Sequence, residues 1–295
     1  MLVLDLQSNS LRGPLPSPFC TSTSLYIINL SYNNLSAEIP NCLFTAAKVL
    51  DLRASNFHGP IPNKIPKNVT LVHINLSKNQ LEGPIPTSLL NCTSLQVLDL
   101  GNNKIYSTFP TWLETLQDLE LLILKSNRFY GPIVALKTES PFPNMRIFDL
   151  SNNSFTGFLP MEVVQGFKAM MNIDAHKSGL EYLEETFDFQ SPTHGILYRD
   201  DYAESMILVM KNQDTKFNKI FTTIDLSRNK FEGEIPIFIG NLNSLLLLNL
   251  SHNNVTGHIP VEMRNMSTLE AWTFHLTILP AKFQRNWQVS HFLQS

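Results

Sequence analysis

Large apolar residues, mostly leucine, recur along the chain in a unit of about 24 residues with polar positions between them. The unit has the form L-x-x-L-x-L-x-x-N-x-L-x-G-x-I-P. A segment of this size cannot bury its apolar face alone, so it must stack against its neighbours. The pattern therefore predicts a solenoid. The unit can be read nine times, and its asparagine position holds Asn9, Asn33, Ser55, Asn79, Asn103, Asn127, Asn153, Asn229 and Asn253.

The L-x-L pair in each unit predicts a short strand. Leu98 and Leu100 would point into the core, while Asp99 between them would point away from it. Successive strands would lie parallel, about 4.8 Å apart. The asparagine that follows can both donate and accept, so stacked asparagines would satisfy backbone groups of the buried turn. Ser55 would interrupt that ladder.

The G-x-I-P ending predicts the opposite side of the solenoid. Glycine allows unusual φ angles, and proline disfavours helix and donates no hydrogen bond. The convex side is therefore expected to be extended or 3₁₀ chain with little α-helix. The predicted fold is a right-handed solenoid of the α/β horseshoe type, built mostly of parallel β-strands.

The repeats divide the chain into four parts. Residues 1–160 hold about seven repeats, and residues 161–220 form an insertion without a leucine period. Residues 221–274 hold two repeats and a degenerate third, and residues 275–295 form a divergent tail. The insertion carries ten acidic and six basic residues, so it accounts for the net charge of −3 of the whole chain. An alternative interpretation is a degenerated pair of repeats.

Composition excludes several classes of protein. Charged residues make up 16%, against roughly 25% in ordinary soluble domains, and no basic surface for nucleic acid is present. No apolar run reaches the roughly 18 residues needed to span a bilayer. No signal peptide or polar capping unit is recognisable at the ends. We therefore expect an internal piece of a longer protein or a truncated gene product, whose missing flanks hold the targeting and anchoring segments.

The repeat text L-x-x-L-x-L-S-x-N-x-L-x-G-x-I-P resembles the plant-specific leucine-rich repeat of receptor kinases and receptor-like proteins. The resemblance covers residues 1–160 and 221–274. It implies the ligand-recognition region of a cell-surface receptor-like protein, on the extracellular side of the cell membrane. Such a protein binds a protein or peptide ligand and acts in immune or developmental signalling through a co-receptor kinase. The alternatives are the outer part of a leucine-rich-repeat receptor kinase and a secreted inhibitor of microbial cell-wall hydrolases.

The second half of the insertion is similar to the island domain of receptor-like proteins that have no kinase. In that family a tyrosine, eight further residues and Lys-Gly precede the last repeats, and the motif is implicated in pairing with the co-receptor. Tyr202 and Lys211 match this spacing, whereas Asn212 replaces the glycine. The alternative for residues 205–210 is a strand that closes the insertion onto the solenoid.

Side chains that point away from the predicted core are candidates for ligand contact on the concave side. A ladder of equivalent positions presents its members on one surface. The predicted contact residues are Tyr32, Arg53, His73, Lys78, Asn102, Lys125, Arg228 and His252. The recurring acids are predicted to share this surface as solvent-facing groups, not as paired catalytic carboxylates: Asp5, Asp51, Asp99, Asp149 and Asp225.

The cysteines and sequons bear on the compartment. Cys20 and Cys42 are 22 residues apart, nearly one repeat, and the family resemblance implies a disulfide between them. The alternative is two independent buried thiols. Cys92 is expected to be an unpaired core residue. Nine N-x-S/T sequons occur, and several of them are part of the repeat motif itself. The predicted glycosylation sites are Asn34, Asn68, Asn91, Asn254 and Asn265.

Catalytic and cofactor motifs are absent from the sequence. It has no H-E-x-x-H, no C-x-x-C, no G-x-S-x-G and no phosphate-binding glycine loop. The chain is therefore expected to be no enzyme and to hold no cofactor or metal.

Overall fold

The computed structural model describes residues 2–16, 25–134, 138–171 and 222–273. Within these ranges, ten parallel strands form one sheet, and neighbouring strands come from consecutive repeats. This is the solenoid that the sequence predicts, and we call this sheet the concave sheet. Its strands are Leu2–Asp5, Leu25–Asn29, Val49–Asp51, His73–Asn75, Val97–Asp99, Leu121–Ile123, Ile147–Asp149, Thr223–Asp225, Leu247–Asn249 and Ala271–Thr273.

Two smaller parallel sheets lie on one flank, where the chain leaves each concave strand. They are separated at Ser107, which occupies the repeated glycine position. Gly83 and Gly131 have φ angles of 76° and 77° at that position, a conformation that Ser107 does not adopt. The strands are Arg12–Gly13, Asn34–Ala37, Asn56–Pro60, Gln80–Gly83 and Lys104–Ile105, then Tyr130–Pro132, Ser154–Phe158, Lys230–Glu234 and Asn254–Thr256.

The convex side contains only short helical segments in the described ranges, which confirms the prediction from the G-x-I-P ending. Four segments are 3₁₀ helices: Thr87–Asn91, Thr111–Thr115, Ile237–Asn241 and Val261–Asn265. Three are single α-helical turns: Leu43–Ala46, Met161–Val164 and Lys168–Met171.

The asparagine ladder is present as predicted. The side-chain amide of Asn79 donates to the carbonyl oxygens of Leu52 and Leu76 at 2.9 and 3.1 Å. Its Oδ1 accepts the backbone N–H of Phe57 at 3.1 Å. One buried amide thus satisfies backbone groups of two adjacent coils, which is why the residue recurs.

Ser55 interrupts the ladder, and the structure supports a prediction for its replacement. Its hydroxyl oxygen is buried without a hydrogen-bond partner. Ser55→Asn should restore the amide contacts and raise the free energy of unfolding by about 1 kcal/mol. The reverse change, Asn79→Ser, should lower it by about 1–3 kcal/mol because buried backbone groups lose their partner. Urea unfolding measures both, and a destabilising Ser55→Asn would show that the coil has no room for the longer side chain.

The concave sheet continues across the insertion. Ile147–Asp149 pairs with Thr223–Asp225, and Leu150 N–H donates to Asp225 O at 2.9 Å. Asn229 donates to Leu150 O and accepts the N–H of Phe155, both at 3.0 Å. The repeats on the two sides therefore stack as direct neighbours.

The predicted start of the insertion at residue 161 needs correction. Met161, Val163, Phe167 and Met170 are buried in the main core, so residues 161–171 belong to the convex side of the preceding repeat. The sequence prediction missed them because methionine, valine and phenylalanine stand where the motif has leucine and isoleucine. The rest of the insertion lies outside the described residues, as does the tail beyond residue 273.

Candidate functional site

Most concave strands end in Asp or Asn, and the side chain closes the turn that follows. The Oδ1 of Asp99 accepts the N–H of Gly101 at 2.8 Å, and that of Asp149 accepts the N–H of Ser151 at 3.0 Å. This contact satisfies a backbone donor that the strand leaves unpaired. The same bond is formed by Asp5, Asn29, Asp51, Asn75, Asp225 and Asn249.

The prediction that the recurring acids face solvent together is therefore wrong in part. Asp51 is 3% exposed and Asp99 is 6% exposed. Adjacent strands and the turns at their ends cover these carboxylates, and the Oδ1 atom of each accepts a backbone N–H. The alternation of Asp and Asn at this position was the available signal, since both supply the same acceptor.

The predicted ligand residues fall into two rows. One row lies in the turns, directly before the ladder asparagine, and its members have φ between 53° and 56°. This conformation directs them outward at the rim of the concave sheet, where four are exposed and Tyr32 is half-buried. We call these residues the turn row: Tyr32, Lys78, Asn102, Arg228 and His252.

The other row comprises His73, which is on a concave strand, and Arg53 and Lys125, each two residues beyond the end of one, and it is less accessible than predicted. Arg53 is 6% exposed and its Nε lies 3.2 Å from Asp51 Oδ2. His73 is 4% exposed, and burial lowers its pKa to about 4. The narrow spacing of parallel strands crowds side chains that point to the same face. Lys125 is only partly buried and its Nζ lies 3.6 Å from Asp149 Oδ2.

Tyr32 connects the two rows. The Arg53 guanidinium lies 5.5 Å from the centre of the Tyr32 ring, and Lys78 Nζ lies 5.9 Å from it. Both distances are within cation–π range. These three predicted residues are therefore brought together at one end of the concave surface.

An apolar cluster occupies the middle of the concave sheet, and the sequence analysis did not identify it. Val97, Leu121, Ile123 and Ile147 pack together outside the main core. They stand on strand positions that face away from that core, and Ile123 replaces the Asp or Asn of other repeats. Three successive units with apolar residues on both strand faces were the signal for it.

A second polar group lies beyond the apolar cluster, next to the insertion point. The carboxylates of Asp149 and Asp225 are on paired strands, and Asn249 Nδ2 donates to Asp225 Oδ2 at 3.1 Å. Burial, with a further contribution from Asp225, raises the pKa of Asp149 to about 6, although Lys125 opposes this. The concave surface thus runs from a polar end through an apolar centre to a second polar group.

The raised pKa gives a testable pH dependence. The folded state holds the Asp149 proton more tightly than the unfolded state, so this group favours folding below about pH 4 and the contribution is lost as pH rises through 6. Asp149→Asn keeps the acceptor for Ser151, as Asn249 does in its own repeat. At pH 7.5 the variant should be more stable than the parent by roughly 3 kcal/mol. Urea unfolding between pH 4 and 7.5 tests this.

The exposed Glu234, on the flank strand Lys230–Glu234, provides the control for that experiment. Glu234→Gln removes one negative charge without changing the concave surface, so its stability curve should run parallel to that of the parent. Parallel curves for Asp149→Asn as well would contradict the proposed burial of its charge.

The sequon asparagines differ in their exposure to solvent. Asn29 and Asn75 are 0% and 1% exposed and bonded within the sheet. The predicted glycosylation sites are more accessible, except that Asn91 is half-buried and donates to Ile65 O at 2.7 Å. Exposed sequon asparagines are Asn34, Asn68, Asn152, Asn254 and Asn265.

Other predicted site residues have mixed outcomes. Cys42 is disulfide-bonded, whereas Cys92 is a free buried thiol, as expected. Cys20, Tyr202 and Lys211 lie outside the described residues, so the disulfide pairing and the co-receptor motif stay predictions.

Within the described ranges no group of three or more His, Cys, Asp or Glu side chains is arranged to bind a metal ion. No helix in this part of the chain combines the length and apolar character that crossing a bilayer requires.

Comparisons with known proteins agree with this architecture. Sequence profiles of the leucine-rich repeat match residues 69–129 and further stretches that together cover more than half of the chain: residues 1–22, 24–45, 144–165, 221–242 and 244–266. The chain is 48% identical over 248 residues to Receptor-like protein 12 of Arabidopsis thaliana. It is 36% identical over 250 residues to Receptor-like protein 54 of the same plant. These alignments cover 82% and 83% of the chain, but only 28% and 31% of the relatives.

Solved structures show the same fold. The crystal structure of PEPR1–AtPEP1 matches 93% of the chain with a TM-score of 0.68 at 27% identity, and the match covers 32% of that protein. The Arabidopsis receptor kinase HAESA, in complex with the peptide hormone IDA and the co-receptor SERK1, matches 93% with a TM-score of 0.67 at 27% identity. The match covers 38% of HAESA.

The chain therefore belongs to the leucine-rich-repeat family. Within that family it is a plant receptor-like protein, and it spans less than a third of the length of the two relatives described above.

Proposed function

We propose that this chain is the ligand-recognition region of a plant cell-surface receptor-like protein, without catalytic activity of its own. The observation that carries the proposal is the unbroken concave sheet with the turn row along its rim. Scaffold positions repeat from coil to coil, whereas the turn row changes from Tyr32 to Lys78, Arg228 and His252. A regular scaffold with a variable exposed row is suited to binding an extended partner.

The ligand of this proposal is a protein or peptide. Its contacts would be the turn row and Lys125 on the accessible rim, and not Arg53 and His73, which are buried. The structure of HAESA supports this choice, since that receptor kinase is bound to the peptide hormone IDA. The protein would lie on the extracellular side of the cell membrane, with glycans on its exposed sequons and an anchor elsewhere in the full-length protein.

A displayed peptide library tests ligand binding. Peptides enriched on the chain should bind at least about tenfold more weakly to Arg228→Ala and Tyr32→Ala, because both changes remove a rim contact. Lys64→Ala, an exposed position on the convex side, should leave binding within about twofold. No enrichment over a control protein, or equal loss with Lys64→Ala, would contradict the proposed surface.

Signalling would proceed in immunity or development through a co-receptor kinase that pairs near the insertion. Tyr202 and Lys211 are the proposed contacts, because an aromatic residue beside a charge is a frequent interface hot spot worth about 2 kcal/mol or more. In a full-length protein, Tyr202→Ala or Lys211→Ala should abolish ligand-dependent co-purification with the kinase and preserve secretion. Unchanged co-purification would exclude this role, and lost secretion would assign the residues to folding.

Two alternatives share the same repeats. The outer part of a receptor kinase is favoured by the structural similarity to HAESA. A kinase-coding segment downstream in the gene would establish the receptor-kinase alternative. A secreted inhibitor of cell-wall hydrolases would bind such an enzyme directly, which an inhibition assay detects.

A further inference from the structure

Two carboxylates lie side by side in the second polar group of the concave sheet. Asp149 and Asp225 occupy the same position of successive coils and are register partners on paired parallel strands. Neighbouring strands are about 4.8 Å apart, and like charges that face each other across such a pair are unfavourable. Burial and the charge of Asp225 both raise the pKa of Asp149, as expected for two carboxylates that interact.

The fold does not need a negative charge at either position. The Oδ1 atoms of Asp149 and Asp225 each accept a backbone N–H in the turn that follows. Asn75 and Asn249 form the same bond with an amide oxygen in their own repeats. An uncharged side chain would therefore close both turns without placing two charges together. A charge that the turn does not require and that its neighbour disfavours is typical of a binding site.

The cations of this region leave one negative charge unbalanced. Lys125 Nζ lies 3.6 Å from Asp149 Oδ2 and compensates one carboxylate. Asp225 Oδ2 accepts a hydrogen bond from the neutral side chain of Asn249 at 3.1 Å. Arg228 follows in the same turn, but it is not part of an ion pair with another described residue. One further positive charge would balance the two carboxylates.

A hydroxyl group without a partner lies on the same face. Thr223 is two residues before Asp225, and Ile224 between them is fully buried in the main core, so both side chains point to the concave side. Thr223 is 2% exposed, and its Oγ1 has no hydrogen-bond partner in the part of the chain that the structure describes. Its strand neighbours are the apolar Ile147 and Leu247. The fold therefore leaves an acceptor unused beside the two carboxylates.

We propose that Asp149, Asp225 and Thr223, which we call the acidic site, bind an arginine side chain of the peptide ligand. This inference rests on the proposed function, because it assigns one ligand residue to the same concave surface. A guanidinium carries one positive charge and five N–H donors in a fixed plane. It can pair with one carboxylate, reach the second and donate to the hydroxyl. The methylene groups of the arginine would contact Ile147 of the apolar cluster.

Other cations fit the acidic site less well. A calcium or magnesium ion is usually held by several charged or carbonyl oxygens, and the described ranges contain no group of three or more His, Cys, Asp or Glu side chains that could hold a metal. A lysine donates from a single point, whereas the acceptors here stand on two strands. The planar fork of a guanidinium suits acceptors that are about one strand spacing apart.

Peptides selected by display on the parent chain test the proposal. They should contain an arginine whose replacement by citrulline, which is neutral and nearly the same shape, weakens binding at least about tenfold. Combining Asp149→Asn with Asp225→Asn should weaken binding of the arginine peptide at least about tenfold, and citrulline should then change it less than about twofold. Thr223→Val should weaken it at least about threefold. Glu234→Gln, on the flank of the same repeat as Asp225, should change it less than about twofold.

The unfolding midpoint distinguishes this role from a structural one. The double asparagine variant should be at least as stable as the parent, because two adjacent charges are replaced by side chains that close the same turns. Weaker binding by a variant of equal or higher stability cannot come from misfolding.

The pH dependence of binding provides a second readout. The groups that face Asp149 are Ile123 and Lys125 of the preceding coil and Asp225 of the following one. The pKa of Asp149 is about 6, so its protonation should weaken binding of the arginine peptide by up to about tenfold from pH 7.5 to pH 5. The citrulline peptide should show no such change, and neither should the double asparagine variant.

The outcomes separate this inference from the function on which it rests. Enriched peptides without a required arginine would overturn the acidic site and leave the proposed function standing, whereas no enrichment on the parent would overturn both. Unchanged binding to the double asparagine variant or to Thr223→Val would overturn the site as described. A citrulline effect that persists on the double variant would also overturn it, because the arginine would then bind elsewhere.

Discussion

Phe155→Ala should lower the free energy of unfolding by about 3–5 kcal/mol, as expected for a large aromatic side chain removed from a packed core. Phe155 is fully buried and lies between two other phenylalanines. Its ring centre is 5.8 Å from that of Phe129 and 6.1 Å from that of Phe231, with the planes nearly parallel. The three rings join repeats on both sides of the insertion, so no single repeat can compensate for the loss.

A second phenylalanine three residues later is the control. Phe158 is 75% exposed on the same strand, and its replacement by alanine should change stability by no more than about 0.5 kcal/mol. Urea unfolding of both variants shows whether the loss of stability comes from the burial of the side chain or from the loss of a phenylalanine as such. Equal effects at the two positions would contradict the core described here.

Deletion of residues 172–221 should leave the solenoid folded and remove the proposed co-receptor pairing. Asn153 and Asn229 of the ladder are 76 residues apart in the chain. Without those 50 residues they would be 26 apart, which equals the spacing between Asn127 and Asn153. Direct fusion of Met171 to Thr222 would therefore produce a repeat as long as one that is already present in this solenoid.

Contacts of the described residues support this result. Asn152 N–H donates to Ser227 O at 2.9 Å, and Thr223 N–H donates to Arg146 O at 2.8 Å. Such bonds are those of ordinary adjacent coils, and none involves the deleted segment. In the full-length protein the same deletion removes Tyr202 and Lys211, so secretion should persist while ligand-dependent co-purification with the kinase is lost. Recovery of the kinase with the deleted protein would exclude the insertion from that contact.

The repetitive part of the fold could be predicted because its physical causes are local. The L-x-L pair specifies which face is buried, and Leu98 and Leu100 are both fully buried. The ladder asparagine and the G-x-I-P ending specify the turns. Ser55 was identified as a break in the ladder from the hydrogen-bonding capacity of a hydroxyl alone.

The concave surface could be predicted less well, because accessibility depends on neighbours from other coils. Arg53 and His73 are at positions that face away from the core, yet the crowded face buries them. Asp99 was predicted to point to solvent, whereas its carboxylate closes a turn. The side chains of the turn row were correctly predicted to point away from the core. Their direction is set by the φ angle of the turn and does not depend on packing against other coils.

Residues 161–171 illustrate a different difficulty. Their methionine, valine and phenylalanine side chains fill the same volume as leucine and isoleucine but do not match the motif. A core accepts apolar residues of about the right size, so structural equivalence survives where sequence periodicity is lost.

Calorimetric unfolding of the chain lacking residues 172–221 tests the central claim most directly. A solenoid that is continuous through the insertion point predicts one cooperative transition, with a midpoint within about 4 °C of the parent, as expected for a change of roughly 1 kcal/mol in a domain of this size. Two separate transitions, or a variant that does not fold, would show that the repeats before and after the insertion do not form one stack.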